Sequence, residues 1–235
     1  MKIVVSGYLN TMTKPQKIAG YIYLPMHIFI LPLLLSMLAY FMSSEIDDLT
    51  INIVYYFTGF AFCLIAMFRY MRTAFDILLD NLPKVILSIV FSYVIYMMLN
   101  YLMAAVLLTV MGDQFMNPNS QTVADMASGG GIGPSIGLAV FLAPVVEEVL
   151  FRGVLFGALR EKHRWLAYAV SIIAFGVYHI WQFALVYMDA SMLIYIVQYI
   201  PAGFALARCY EQTNCIWAPI FMHMGINVIG MMALA

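Results

Sequence analysis

Apolar residues run in long blocks along this chain, from about Tyr21 to Met42, Ile51 to Phe68, Val85 to Met111, Pro134 to Leu159, Trp165 to Tyr187, Ser191 to Ala207 and Cys215 to Ala235. A helix needs about 20 apolar residues to cross a bilayer. The pattern therefore predicts an all-α fold, a polytopic membrane helix bundle of about seven transmembrane helices. Between the second and third blocks, Arg69, Arg72, Asp76 and Asp80 alternate at helical spacing with Phe75, Ile77, Leu78 and Leu79. This predicts an amphipathic helix along the cytoplasmic surface. No internal repeat is visible, and residues 1–235 read as one domain.

The connections alternate in charge. Lys2, Lys14 and Lys17 precede the first block, Arg69, Arg72 and Lys84 follow the second, Arg160, Lys162 and Arg164 follow the fourth, and Arg208 follows the sixth. The intervening connections hold Glu45, Asp47, Asp48, Asp113, Asp125 and Asp189, with no Lys or Arg. Basic residues mark cytoplasmic ends, so the expected topology has the N-terminus inside and the C-terminus outside, in the plasma membrane of a prokaryote. The polar start, Met1 to Gly20, precedes a run too long for a signal-peptide core and reads as retained.

Composition agrees with this picture. The chain is 64% hydrophobic and 10% charged, against about 25% charged in soluble domains. A net charge of -1 without a basic stripe argues against a nucleic-acid partner. Cys63, Cys209 and Cys215 lie in or beside apolar runs without CxxC spacing and read as packing residues. The segment Ser128 to Ser135 is glycine-rich, but no Lys-Ser/Thr pair follows it, so it reads as a flexible outer loop and not a phosphate loop.

Candidate chemistry comes from the polar residues that interrupt the apolar blocks. A charge near the bilayer centre costs about 2.5–3.5 kcal/mol on insertion scales. The fourth block nevertheless carries Glu147, Glu148 and Arg152, and Arg152 is the one residue among eleven Lys and Arg that falls inside a block. Glu148 and Arg152 are four residues apart and share a helix face, where they neutralise each other. Glu147 is rotated by roughly 100° and is left to face something else. His179 in the fifth block and His223 with Asn227 in the seventh reach a similar depth when consecutive helices run antiparallel. The other two of the four histidines, His27 and His163, are expected near cytoplasmic ends. Pro144 and Pro219, just before Glu147 and His223, are expected to bend their helices. Asn100, Gln182 and Gln198 read as interhelical hydrogen-bonding residues outside the site.

A carboxylate with two imidazoles in a water-poor site suits activation of a water molecule, with a His/Asn pair donating to a developing oxyanion. The same groups also match a His₂Glu zinc site with an open position. The residues alone leave both readings open. No G-x-S-x-G serine signature and no H-E-x-x-H zincin helix occurs.

Three segments together carry a resemblance. Glu147 to Arg152 resembles an EExxxR motif, Phe175 to His179 an FxxxH motif and His223 to Asn227 an HxxxN motif. In this order, within 141–235, they resemble the CPBP family of CAAX proteases and bacteriocin-processing enzymes, also called the Abi family. The resemblance implies an intramembrane endopeptidase acting on a membrane-associated protein or peptide. Glu147 and His179 would activate water, His223 and Asn227 would stabilise the oxyanion, and Glu148, Arg152 and Phe175 would support them. It leaves open whether zinc or another divalent metal is held by Glu147, His179 and His223 or the mechanism is metal-free. The alternative function within the same fold is a non-catalytic membrane regulator or bacteriocin self-immunity protein.

Overall fold

A reciprocal cap opens the first helix. In the computed structural model, which describes residues 11–42, 46–112, 117–126 and 132–234, the Gln16 side chain accepts from the Thr13 backbone N–H at 3.1 Å while Thr13 caps Gln16 in return. Such a Thr-x-x-Gln pair satisfies two donors that a helix start otherwise leaves open. The helix α1 (Lys14–Phe41) thus begins at Lys14 and not at Tyr21, where hydropathy placed the span. A widened π turn at Met26–Ile30 lies between Pro25 and Pro32, where lost backbone donors loosen the hydrogen-bond ladder.

The remaining elements are α2 (Asp48–Ala66), capped by Asp47 accepting from Thr50 at 2.7 Å, α3 (Phe68–Asp80), α4 (Leu82–Met111) and α5 (Pro118–Met126). A composite helix α6 spans 132–160, followed by α7 (Arg164–Val186), α8 (Ala190–Thr213) and α9 (Trp217–Leu234). The first ten residues of α8, Ala190–Tyr199, wind as a 3₁₀ helix. No strand occurs among the described residues. The chain is a multi-pass integral membrane protein: α1, α2, α4, α7 and α8 are each long and apolar enough to cross a bilayer. The expected seven therefore stands at five by length and composition. α6 carries four charges, Glu147, Glu148, Arg152 and Arg160, and α9 is shorter in its apolar part, Trp217–Met232.

α6 is the axis of the molecule. Every residue from Ala143 to Val154 is buried. Pro144 has no N–H, and the chain absorbs the gap upstream by a π segment at Gly137–Leu142, where Ala143 N–H reaches five residues back to the Leu138 carbonyl. A second π segment covers Val149–Phe156, and such bulges accumulate at functional sites. α2 lies tight against this axis. A Cβ on Gly59 would sit 2.7 Å from the Val146 side chain, so only glycine permits the approach.

The two ends of the bundle differ as the charge pattern predicts. At one end Lys17 meets Glu161 at 2.6 Å, and Arg160, Arg164 and Tyr168 converge on Glu211. The amphipathic α3 is at this end, but its buried stripe of Tyr70, Met71, Ala74 and Leu78 faces protein. Tyr70 and Tyr210 hydroxyls are 3.0 Å apart, and Trp217 Nε1 donates to the Met71 carbonyl at 3.0 Å. Its outward side carries the Arg72–Asp76 pair together with exposed Phe68, Phe75 and Leu79.

Three expectations need correction. His27 sits at the middle of α1, fully buried, and not near a cytoplasmic end. Arg208 lies inside α8, which runs on to Thr213 and closes on Asn214 in the left-handed region, and its Nη1 donates to Ser92 at 3.2 Å. Pro219 falls in the first turn of α9, where a missing N–H costs nothing, so it does not bend that helix. Lys2, Glu45, Asp113 and residues 128–131 of the glycine-rich stretch lie outside the described residues, while 132–136 are helical.

Candidate active site

Glu147 and Glu148 leave α6 in different directions, and each meets a different set of partners. Glu148 Oε1 accepts from Arg152 Nη1 at 3.0 Å and from His223 Nδ1 at 2.8 Å. Arg152 also donates from Nη2 to the Gly203 carbonyl at 3.3 Å, and its guanidinium lies 4.3 Å over the Phe175 ring. All of Glu148 and Arg152 is buried. The EExxxR, FxxxH and HxxxN segments are thus joined by one charged cluster, with Phe175 as a cation–π platform.

Glu147 points into a cavity of about 950 Å³ that His179, His223 and Asn227 also line. Its Oε1 accepts from the Tyr56 hydroxyl at 3.2 Å. Its buried Oε2 has no hydrogen-bond partner among the described residues, and it lies 3.8 Å from His179 Nε2 and 3.9 Å from His223 Nε2.

The imidazole tautomers follow from their other contacts. His179 Nδ1 is 2.8 Å from the Phe175 carbonyl, which only accepts, so Nδ1 carries the hydrogen and a neutral ring presents a lone pair at Nε2. The same reasoning applied to His223 against the Glu148 carboxylate again leaves Nε2 facing Glu147. Tyr199 stacks on His179 at 4.4 Å and fixes the ring plane. The close approach of α8 to α7 behind it depends on Gly176, whose Cβ would meet the Ile196 side chain at 2.7 Å.

Two unprotonated nitrogens and a carboxylate, each nitrogen backed by an acceptor, are right in kind for a catalytic metal. The spacing differs. Ligands about 2.0 Å from a tetrahedral ion stand about 3.3 Å apart, and the 3.8 and 3.9 Å separations here are wider. No group of three His, Cys, Asp or Glu side chains among the described residues is disposed to hold a metal ion. The gap fits a water hydrogen-bonded to both sides.

Asn227 lines the same cavity, and its Nδ2 donates to the Ala139 carbonyl at 2.6 Å. One amide hydrogen remains for another acceptor. Several neighbours were not legible in the sequence. Tyr56 from α2 touches Glu147, Tyr178 donates to the Tyr56 hydroxyl at 3.1 Å, and the Tyr55 hydroxyl lies 3.4 Å from that of Tyr178 while donating to the His27 carbonyl at 2.9 Å. The one local signal is Tyr178 beside His179. Asn100, Gln182 and Gln198, set aside as bundle glue, line this cavity too.

Comparison with known proteins points the same way. Residues 131–229 match the family model described as type II CAAX prenyl endopeptidase Rce1-like. The Bacillus subtilis (strain 168) protein named "Putative membrane peptidase YdiL" is 31% identical over 110 residues, which is 46% of this chain and 40% of that protein. The aligned segment is thus less than half the length of the curated relative. No solved structure matches. The matched residues include both glutamates, Arg152, His179, His223 and Asn227, and over this segment the chain is similar to the type II CAAX prenyl endopeptidase Rce1-like family.

Proposed function

We propose that this protein is an intramembrane endopeptidase in which Glu147 is the general base. The observation that carries the reading is the unpartnered Glu147 Oε2 facing two Nε2 lone pairs across gaps of 3.8 and 3.9 Å, a seat for one polarised water in a site closed to bulk solvent on the α6 side.

Water held there gives one proton to Glu147 as its oxygen bonds to the carbonyl carbon of a peptide laid in the cavity. His179 orients the water through Nε2 while the Phe175 carbonyl keeps its tautomer. The developing oxyanion takes a hydrogen bond from the free amide hydrogen of Asn227. It takes another from His223 when that ring has taken up a proton from solvent at Nε2 before the peptide binds and keeps it through the cycle, a charge that Glu148 balances from the Nδ1 side. The carbon–nitrogen bond then breaks and Glu147 passes its proton to the leaving amine. Tyr56 holds Glu147 in place throughout.

Glu147→Gln keeps the shape and removes the base. The expected loss in peptide-bond cleavage is about 10²–10⁴-fold, read by comparing new peptide termini in membranes of cells expressing wild type or variant. Identical peptide pools would overturn the assignment. A cellular effect that survives loss of both Glu147 and His179 would instead mark a non-catalytic regulator or immunity protein. The metal reading requires Glu147, His179 and His223 to close by about half an ångström. Stoichiometric metal in active purified protein, with activity lost to chelator and restored by the ion, would establish it.

A further inference from the structure

Three helices around Glu147 each deliver a tandem pair of polar residues that part company. On α6 the pair is Glu147 and Glu148, on α7 it is Tyr178 and His179, and on α2 it is Tyr55 and Tyr56. Consecutive residues on a helix point about 100° apart. His179 thus comes within 3.8 Å of Glu147, while Tyr178 turns to α2 and meets the Tyr56 hydroxyl. The buried ring of Tyr178 packs at 5.3 Å on Phe151, four residues after Glu147 on α6. Tyr178 is therefore held against the helix that carries the base.

The hydrogens of this cluster can be ordered from its two ends. A carboxylate oxygen and a backbone carbonyl only accept, and each tyrosine hydroxyl has one hydrogen to give. At one end Tyr56 gives its hydrogen to Glu147 Oε1 at 3.2 Å. The 3.1 Å gap between the Tyr56 and Tyr178 hydroxyls then holds the Tyr178 hydrogen. At the other end Tyr55 gives its hydrogen to the His27 carbonyl at 2.9 Å, a closer partner than Tyr178 at 3.4 Å. That carbonyl is open because of Pro32. A π turn pairs a carbonyl with the N–H five residues on, which for His27 is position 32, and proline has none. The Leu31 N–H goes to the Met26 carbonyl. Tyr55 is committed to α1, and the chain from Tyr178 through Tyr56 to Glu147 runs in one sense.

We propose that Tyr178 is a positioning residue for the general base: by donating to the Tyr56 oxygen it directs the one hydrogen of Tyr56 to Glu147 Oε1 and leaves Oε2 as the oxygen that works on water. This rests on the peptidase reading and deepens it. As an O–H bond of the water breaks, its proton bonds to Oε2 and later leaves for the amine, while Oε1 accepts from Tyr56 throughout. Without the Tyr178 hydrogen the Tyr56 oxygen becomes an open acceptor. A proton on Oε1 pointing at Tyr56, away from the amine, then competes with the productive arrangement.

The test begins without a substrate. Infrared difference spectra of detergent-purified protein at alkaline pH, each variant against the same variant carrying Glu147→Gln, isolate the carboxylate stretch of Glu147. Tyr178→Phe keeps the ring on Phe151 and removes the hydroxyl. It should move this band to the same side as Tyr56→Phe does and by less, and Tyr55→Phe should leave the band in place. A band unmoved by Tyr178→Phe, or moved as far by Tyr55→Phe, overturns the proposal, as does a carboxylic acid band in its place. Turnover is then read as the rate at which new peptide termini appear in membranes of expressing cells. Tyr178→Phe should lower it by about three- to tenfold, the loss of one neutral hydrogen bond. In a Tyr56→Phe background it should lower it no further, because residues acting in one chain are not additive. Equal losses in both backgrounds would give Tyr178 a role apart from Tyr56 and overturn the proposal. If Glu147→Gln leaves the peptide pool unchanged, the peptidase reading fails while the infrared result stands by itself.

Discussion

α4 and α6 are both apolar runs, yet they occupy the bundle in opposite ways. Only 6% of the apolar window of α4 is buried, and Ile86, Leu87, Val90, Phe91 and Val94 all face outward. In α6 every residue from Ala143 to Val154 is buried, the two glutamates and the arginine among them. In water the apolar helix would be inside and the charged one outside. In lipid the outward face has no reason to be polar, whereas charge must find partners inside protein. Burial here tracks the need for partners and not hydropathy.

The largest expected effect breaks the partnering in α6. Arg152→Ala leaves Glu148 buried without its cation and should cost about 3–5 kcal/mol, seen as a lowered unfolding midpoint of the detergent-solubilised protein. Replacing Glu148 and Arg152 together by Leu and Met should recover most of that stability, since apolar isosteres often match a buried ion pair. Activity should stay low, because His223 has then lost the acceptor at its Nδ1. Recovery of activity along with stability would show the cluster to be structural only.

A smaller effect should follow at the contact between α2 and α6. Tyr56→Phe removes one hydrogen bond to a carboxylate, worth about 1.5–3 kcal/mol, and should lower kcat at least about tenfold while the unfolding midpoint falls by less than in Arg152→Ala. If kcat is unchanged, Tyr56 does not position the base.

The smallest effects should be on outward faces. Arg72 and Asp76 have the same four-residue spacing as Glu148 and Arg152, but their side chains are 68% and 57% exposed against 0% for the buried pair. Arg72→Ala should cost at most about 1 kcal/mol, measured by the same unfolding assay as Arg152→Ala. Val90→Ala, on the outward face of α4, should change stability by no more than about 0.5 kcal/mol. A large loss at Val90 would mean that α4 has a protein partner.

What could be read in advance divides along the same line. Helical class, membrane residence and the segregation of charge to two ends followed from hydropathy and the placing of Lys and Arg. Glu147, His179 and His223 stood out because ionisable groups inside apolar runs are costly and therefore rare. Hydropathy misplaced the ends of helices that overrun their apolar blocks. α1 starts at Lys14, which moves His27 to mid-helix, and the Thr13–Gln16 cap was a signal that marked it. α8 passes through Arg208 because a half-buried arginine bonded to Ser92 is tolerated there.

The sequence by itself determined which groups had to be inside, since the cost of a bare charge in lipid depends on composition alone. Only the tertiary structure decided which partner each one has: Glu148 with Arg152 and His223, Glu147 with Tyr56 and an open gap before two imidazoles. Those pairings depend on how closely neighbouring helices approach, at Gly59 against Val146 and Gly176 against Ile196. A tyrosine among sixteen carries no mark of the helix it will face. Its role is set by packing at distances of a few ångströms, which no pattern along one chain records.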